Sequence, residues 1–196
     1  MHLLIVSGFL GSGKTTLIVK LAEAAVGRGL KTAVLVNEIG EMGVDDKMMR
    51  QLDLNVYQLT GGCLCCTLAS DMPQTLQKLV ENYSPHVVII EPSGVAELNK
   101  VQAALEYYRG EAFESRLSIV LLDPLRITIL FKALTPLISS QINAADLIIL
   151  NKIDMATPKE ISDSRAIVLQ VSPNKLVFEL SARDKLPPAV LQEILP

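Results

Sequence analysis

A glycine-rich segment near the beginning of the chain has the residue types and spacing of a phosphate-binding loop. Residues 8–15 read GFLGSGKT and fit the pattern G-x-x-x-x-G-K-[ST]. The glycines allow the backbone to wrap around a phosphate, and the amide groups that begin the following helix face the anion. Lys14 would reach the β- and γ-phosphates, and the Thr15 hydroxyl would hold Mg²⁺. The residues predicted to contact the nucleotide here are Gly8, Gly11, Ser12, Gly13, Lys14, Thr15 and Thr16.

A second segment indicates which base is bound. Residues 151–154 read NKID and directly follow an apolar run. The Asp154 carboxylate can accept hydrogen bonds from N1–H and the 2-amino group of guanine, whereas adenine offers no such pair of donors on that edge. Lys152 would lie along the plane of the base, and Asn151 would tie this segment to the phosphate-binding loop. The pattern therefore predicts GTP as the nucleotide.

Other predicted strand ends carry further candidate residues. In the segment EPSG, Glu91 would sense Mg²⁺ and Gly94 would lend its N–H to the γ-phosphate, although the same letters suit an ordinary strand-to-helix turn. Ser181 and Ala182 follow another apolar run and can close over the base with backbone N–H groups. Asp123 is predicted only to cap the helix that follows it.

The segment after the second apolar run is polar, acidic and punctuated by glycine. Residues 37–46 read NEIGEMGVDD, which is too long for a tight turn. One interpretation is a switch loop whose carboxylates approach Mg²⁺, a second metal or the attacking water, with Asp45 as the candidate for positioning that water. The other is a solvated acidic loop. Lys14, Asp45 and Glu91 are the candidate catalytic residues.

All three cysteines of the chain lie within residues 63–66. Thiolates are soft ligands that suit Zn²⁺ and related ions, and a tetrahedral site needs a fourth group. The candidates for that group are a water molecule, Glu38, Glu41 and Asp45. We interpret Cys63, Cys65 and Cys66 as metal ligands. The alternatives are a redox pair formed by Cys63 and Cys66, and thiols that act as small buried hydrophobic groups.

The composition excludes several classes of function. Apolar residues make up 49% of the 196 residues and charged residues 20%, which is typical of a folded globular chain. The net charge of −3 and the aromatic content of 4% argue against nucleic acid and anionic membranes as partners. No apolar run reaches the roughly 20 residues of a membrane span. Because three clustered cysteines do not make a disulfide framework, we expect a cytoplasmic protein.

Short apolar runs alternate with helical patterns along the chain. Strands are predicted at residues 3–7, 32–36, 56–59, 87–90, 117–122, 147–150 and 176–180. Helices are predicted near residues 14–27, 71–82, 97–108, 126–142, 159–167 and 187–194. This order predicts an α/β fold of three layers, a P-loop NTPase with a mostly parallel sheet and helices on both faces, as a single domain over residues 1–196. Every motif follows a predicted strand, which is where such sheets bind ligands.

Five motifs in this order resemble a known family. They are G-x-x-G-x-G-K-T-T, N-E-x-G-E-x-G-x-D, G-G-C-x-C-C, E-x-S-G and N-K-x-D, and they are similar to the CobW/UreG/HypB family of metal-centre P-loop GTPases, above all to its CobW-like branch. The resemblance extends from residue 1 to about residue 183. It implies a GTPase that holds Mg²⁺ through Thr15, binds a transition metal at the Cys-x-Cys-Cys loop, and delivers it to a client metalloprotein or a metal-cofactor pathway. Because soft thiolates bind Zn²⁺ most easily, Zn²⁺ is the expected metal, with Co²⁺ and Ni²⁺ as alternatives. The resemblance also implies a homodimer, since members of the family often dimerise.

The sequence departs from CobW-like proteins because the second C-terminal domain and the His-rich stretch are absent from it. We therefore expect either a stand-alone GTPase unit or part of a longer gene product. No Arg or Gln stands in an obvious position beside the γ-phosphate, so slow intrinsic GTP hydrolysis is expected. The alternative functions are a regulatory GTPase without metal delivery, a nucleotide-dependent thiol redox sensor, and a small-molecule kinase, against which N-K-x-D argues.

Overall fold

The computed structural model describes residues 1–36, 55–58, 67–92 and 98–196. Within these residues the strands are β1 (His2–Gly8), β2 (Thr32–Val36), β3 (Asn55–Gln58), β4 (Val87–Glu91), β5 (Ser115–Leu122), β6 (Leu147–Leu150) and β7 (Leu176–Glu179). They form one sheet in the order β3-β2-β4-β1-β5-β6-β7. All its neighbouring strands are parallel, so the predicted sheet is confirmed.

The helices lie close to the segments predicted from the sequence. They are α1 (Lys14–Gly27), α2 (Thr67–Tyr83), α3 (Leu98–Leu105), α4 (Pro124–Ala144), α5 (Pro158–Val171) and α6 (Pro188–Ile194). The third helix ends three residues earlier than expected. Residues 106–108 continue it only as a tighter turn, in which the Tyr108 amide donates to the Leu105 carbonyl over 3.1 Å.

Each face of the sheet is covered by its own group of helices. One buried cluster joins Leu3 and Ile5 of β1 to side chains of α2, α3, α4 and α5, including Leu76 and Val101. The other joins Leu4 and Val6 to side chains of α1 and α6. Alternate residues of β1 thus point into different clusters, which explains why the four residues from Leu3 to Val6 are all apolar. The three-layer α/β architecture is as predicted.

Helix α4 is bent near its middle. Pro136 lies inside it, and Leu134, two residues earlier, has the non-helical angles φ −132° and ψ 35°. Proline lacks the N–H needed for the helical hydrogen bond and crowds the preceding turn, so a kink is expected there. In the described part of the chain, no helix combines the length and the apolar character required to cross a bilayer.

The core packing gives a stability prediction. Ile89 of β4 is fully buried, whereas Ile129 on the outer face of α4 is 73% exposed. Replacing Ile89 by Ala should lower the free energy of unfolding by about 2–5 kcal/mol, because a cavity replaces packed methyl groups. The matched change Ile129→Ala should alter it by no more than about 0.5 kcal/mol. Urea denaturation measures both, and equal losses would contradict this account of the core.

Candidate nucleotide site

The phosphate-binding loop connects β1 to α1 and leaves the start of the helix open. The residue preceding the helix is Gly13, with φ +96°, and no side chain caps the first turn. The first amide groups of a helix lack partners within the helix, and together with the helix dipole they favour an anion. Lys14, Thr15 and Thr16 form the first turn, so the structure brings the predicted phosphate-binding residues together at one helix end.

Two glycines of the loop stand where a side chain could not fit. Gly8 has φ +145°, and a Cβ atom there would lie 2.5 Å from the Leu121 carbonyl oxygen. At Gly13 a Cβ atom would lie 2.3 Å from Nδ2 of Asn151. Both distances are far below normal van der Waals contact, and both residues have positive φ. The first and last fixed glycines of the motif are therefore required by the packing of the loop against β5 and Asn151.

The phosphate end of the site groups an ammonium, a hydroxyl and a carboxylate. Since β4 is the neighbour of β1, Glu91 at its end reaches the first turn of α1. The Thr15 hydroxyl donates to the two Glu91 carboxylate oxygens at 3.2 and 3.4 Å, and Lys14 Nζ lies 3.9 Å from Glu91 Oε1. The Lys14 side chain is only 7% exposed and that of Glu91 15%. Hydroxyl and carboxylate oxygens are hard ligands, so this pair fits the expected Mg²⁺ site.

Asn151 joins the two predicted binding segments, as expected from the sequence. It is 2% exposed, and its Nδ2 donates to the Ser12 carbonyl over 2.8 Å. Its Oδ1 accepts from the Ala182 amide, also over 2.8 Å. One side chain therefore ties the ends of β1, β6 and β7 to one another. The Ala182 amide, which the sequence suggested for the base, here bonds Asn151.

Lys152 makes a second connection between the segments. Its backbone is in the left-handed region, with φ +65°. Its Nζ donates to the Gly11 carbonyl and also lies 2.8 Å from Asp123 Oδ2. Asp123 caps α4 as predicted, because its Oδ1 accepts from the Leu125 amide over 3.0 Å. The ion pair with Lys152 was not predicted, so Asp123 holds the NKID segment as well as the helix.

Asp154 lies on the exposed part of the same turn. The Met155 amide closes this turn by donating to the Lys152 carbonyl over 3.0 Å. Within the described residues nothing forms a hydrogen bond or ion pair with the Asp154 carboxylate. It is thus available to a ligand, in contrast to Asn151 and Lys152, which are engaged by the protein.

Two buried hydroxyl groups lie in the predicted binding segments. Ser12 is 2% exposed and Ser181 6% exposed. In the described part of the chain, neither Oγ atom has a hydrogen-bond partner. A buried hydroxyl without a partner costs free energy, and both positions were predicted to contact the nucleotide.

Arg126 is a residue of this site that the sequence did not reveal. It lies in the first turn of α4, and its Nη1 donates to the Leu10 carbonyl of the phosphate loop over 3.0 Å. No motif marks it. Only the adjacency of β1 and β5 brings the start of α4 beside the loop, and that adjacency is a property of the sheet order.

Seven predicted site residues lie outside the described residues. They are Glu38, Glu41, Asp45, Cys63, Cys65, Cys66 and Gly94. In the part that is described, His, Cys, Asp and Glu side chains form no group of three or more able to hold a metal ion. The metal-binding prediction therefore depends on the sequence of these segments.

Comparison with known proteins agrees with this arrangement. The model of the CobW/HypB/UreG nucleotide-binding domain matches residues 2–179. The chain belongs to the CobW/HypB/UreG family. The family predicted from the five motifs is confirmed, and the match covers most of the chain, including β1 to β7.

Relatives within this family extend beyond the present chain. It is 33% identical over 159 residues to the zinc chaperone YeiR of Escherichia coli, covering 79% of this chain and 47% of YeiR. It is 29% identical over 219 residues to the zinc chaperone CobW of Pseudomonas aeruginosa, covering 95% of this chain and 58% of CobW. The chain thus spans about half the length of the curated relatives it matches.

A solved structure has the same fold as this chain. The hydrogenase maturation factor HypB of Archaeoglobus fulgidus superposes with a TM-score of 0.66 at 18% identity. The superposition covers 93% of this chain and 82% of HypB. At this identity the likeness establishes the fold alone.

The Asn151 connection gives a second prediction. The change Asn151→Ala leaves the Ser12 carbonyl and the Ala182 amide without their partner in a buried place. The free energy of unfolding should fall by about 1–3 kcal/mol, as measured by urea denaturation. Asn99→Ala removes an exposed amide that donates to Ser140 Oγ over 2.9 Å and should change it by no more than about 0.5 kcal/mol. A loss at Asn151 no larger than that control would contradict the bridging role.

Proposed function

We propose that this chain binds and hydrolyses GTP and uses the nucleotide to control a transition metal that it delivers to a client metalloprotein or a metal-cofactor pathway. The observation that carries the proposal is the direct connection of the phosphate loop to the NKID segment through Asn151 and Lys152. We treat residues 1–196 as one domain for this purpose.

The phosphate end supplies the groups that hydrolysis of a triphosphate needs. Lys14 and the open amides of α1 would face the phosphates, while Thr15 and Glu91 would hold Mg²⁺. When bound, Mg²⁺ neutralises charge on the phosphate oxygens. The chain's own contribution is electrostatic stabilisation by a buried ammonium and fixed amides, which need little reorganisation as charge develops. Asp45 and Gly94 remain the sequence candidates for the water and the γ-phosphate.

The base end supplies selectivity for guanine. The Asp154 carboxylate is exposed and without a partner in the described part of the chain, while Lys152 beside it is fixed to Gly11 and Asp123. A carboxylate that has no protein partner, next to a residue that is held in place, suits the N1–H and 2-amino donors of guanine. The Ser181 hydroxyl, which has no hydrogen-bond partner among the described residues, would complete this end of the proposed site. Ala182 would support it through its amide bond to Asn151.

A transition metal would be the cargo and not a resident cofactor. The support is the sequence: Cys63, Cys65 and Cys66 as soft ligands, with Glu38 or Glu41 as a further ligand. The names of the relatives YeiR and CobW, both zinc chaperones, favour Zn²⁺ over Co²⁺ and Ni²⁺. GTP would tighten metal binding through residues 38–46, and hydrolysis would release the ion to the client. A second copy of the chain as partner is a further proposal that the family resemblance suggests.

A change at Asp154 tests the base selectivity. Asp154→Asn replaces one acceptor oxygen by an NH₂ donor, which opposes the 2-amino group of guanine but suits the 2-oxo group of xanthine. We expect the ratio of GTP to XTP affinity to fall by about a hundredfold or more. Equilibrium titration with the two nucleotides measures it.

Asp163→Asn, the same change on the exposed surface of α5, should leave that ratio unchanged. A wild-type chain that prefers ATP, or an Asp154→Asn variant with the wild-type ratio, would overturn the proposed guanine site.

Thermodynamic reciprocity tests the proposed control of metal. If GTP tightens metal binding, the metal must tighten GTP binding by the same factor, about 5–150-fold for typical coupled sites. We expect this effect for Zn²⁺ when GTP affinity is measured on the reduced protein with and without each of Zn²⁺, Co²⁺ and Ni²⁺. Replacing Cys63, Cys65 and Cys66 by Ser should abolish the metal effect and preserve GTP binding.

Equal GTP affinities with all three metals and without metal would contradict the coupling and would favour a regulatory GTPase that delivers no metal. A metal-free protein whose Cys63 and Cys66 form a disulfide under mild oxidant would instead support the thiol redox sensor.

A further inference from the structure

Three consecutive carbonyl groups of the phosphate loop accept hydrogen bonds from side chains of other elements. The pairs are Leu10 with Arg126, Gly11 with Lys152, and Ser12 with Asn151. The last two donors belong to the NKID segment. We propose that Arg126 is a positioning residue for phosphate binding, which completes this row of donors; the proposal rests on the nucleotide site proposed above.

The effect follows from the geometry of the peptide group. In a trans peptide the carbonyl of one residue and the N–H of the next point in opposite directions. The Arg126 bond to the Leu10 carbonyl therefore directs the Gly11 N–H to the opposite side of the loop. The Asn151 bond to the Ser12 carbonyl does the same for Gly13. Within the described residues neither the Gly11 nor the Gly13 amide donates to another group, so both remain for an anion.

The junction of β5 and α4 holds the guanidinium in place. The Asp123 carboxylate caps the helix, and the Arg126 amide donates to the Asp123 carbonyl over 3.0 Å. Asp123 Oδ2 also holds Lys152, so one residue supports two of the three donors. Gly11 has φ +76°, and a Cβ atom there would lie 3.3 Å from Arg126 Nη1. A side chain at this position would crowd the guanidinium.

Positioning differs from a direct catalytic contact in what a substitution changes. If Arg126 orients loop amides, its loss weakens every ligand that uses those amides, with or without a γ-phosphate. If it touched the transferring phosphoryl group, its loss would lower kcat and leave GDP affinity unchanged. Base selectivity should not change in either case, because Arg126 bonds the phosphate loop and not the NKID segment.

The test compares Arg126→Ala with Lys132→Ala, which removes the same charge from an exposed position on the same helix. Affinities for GTP, GDP, ATP and tripolyphosphate are measured by equilibrium titration, and kcat under saturating GTP. For Arg126→Ala we expect a loss of about three- to tenfold for each of these ligands, as for one charge-assisted hydrogen bond near the surface. The kcat should change by less than about twofold. Arg126→Lys should recover part of the affinity, since its ammonium can still donate.

Unchanged affinities in Arg126→Ala, an equal loss in Lys132→Ala, or a fall in kcat with unchanged GDP affinity would each overturn the proposal. Thermal denaturation checks that Arg126→Ala is folded, and if it is not, Arg126→Lys must show a smaller loss of the same pattern. A wild-type chain that binds ATP and not GTP would refute the guanine site. The ATP and tripolyphosphate affinities would then still decide the role of Arg126. A wild-type chain that binds none of the four ligands would refute both the proposed nucleotide site and the positioning role of Arg126.

Discussion

The arrangement of the site depends on the two hydrogen bonds that the buried side-chain amide of Asn151 makes. It donates to the phosphate loop and accepts from the segment after β7, so three strand ends share one side chain. Both groups it satisfies are backbone groups that would otherwise be buried without a partner, which costs more than the bond itself contributes. Gly13 must be glycine because the amide occupies the space of its Cβ atom. The phosphate loop and the NKID segment are therefore held at a fixed separation.

Much of the fold and of the candidate site could be predicted because the patterns that indicate them are local in sequence. The first four residues of β4 and all of β6 are uninterrupted apolar runs, and the motif residues follow where those runs end. The alternation of strands and helices and the placement of Asn151 and Glu91 therefore follow from the pattern alone. Asp123 was predicted only as a cap, since its bond to Leu125 is local, whereas its ion pair with Lys152 spans two strands. Arg126 escaped prediction for the same reason: sheet order is decided by packing over the whole chain and not by any motif.

At the C-terminal end of the phosphate loop, two charged side chains lie close together in a largely buried position. Lys14 is buried, and an ammonium removed from water needs a nearby negative charge. Glu91 provides it at 3.9 Å while also accepting from the Thr15 hydroxyl. A phosphate that approaches Lys14 therefore does not meet an unpaired cation, and it must share Lys14 with a carboxylate. A divalent cation between Glu91 and the phosphate would relieve the repulsion between these two anions, which is a physical reason for nucleotide and Mg²⁺ to bind together.

The proposed base site and the proposed metal-binding segments follow strands on opposite sides of β1. Strands β5, β6 and β7 lie on one side. The side chains that bond the phosphate loop follow the ends of β5 and β6, and the proposed base site lies on this side as well. Strands β4, β2 and β3 lie on the other, and the sequence segments with the acidic and cysteine residues follow the ends of β2 and β3. The proposed base recognition thus lies on the side of β1 whose side chains hold the phosphate loop. In the proposed site GTP and GDP would differ at the γ-phosphate, near Glu91 at the end of β4, and the proposed metal segments follow strands on that same side of β1.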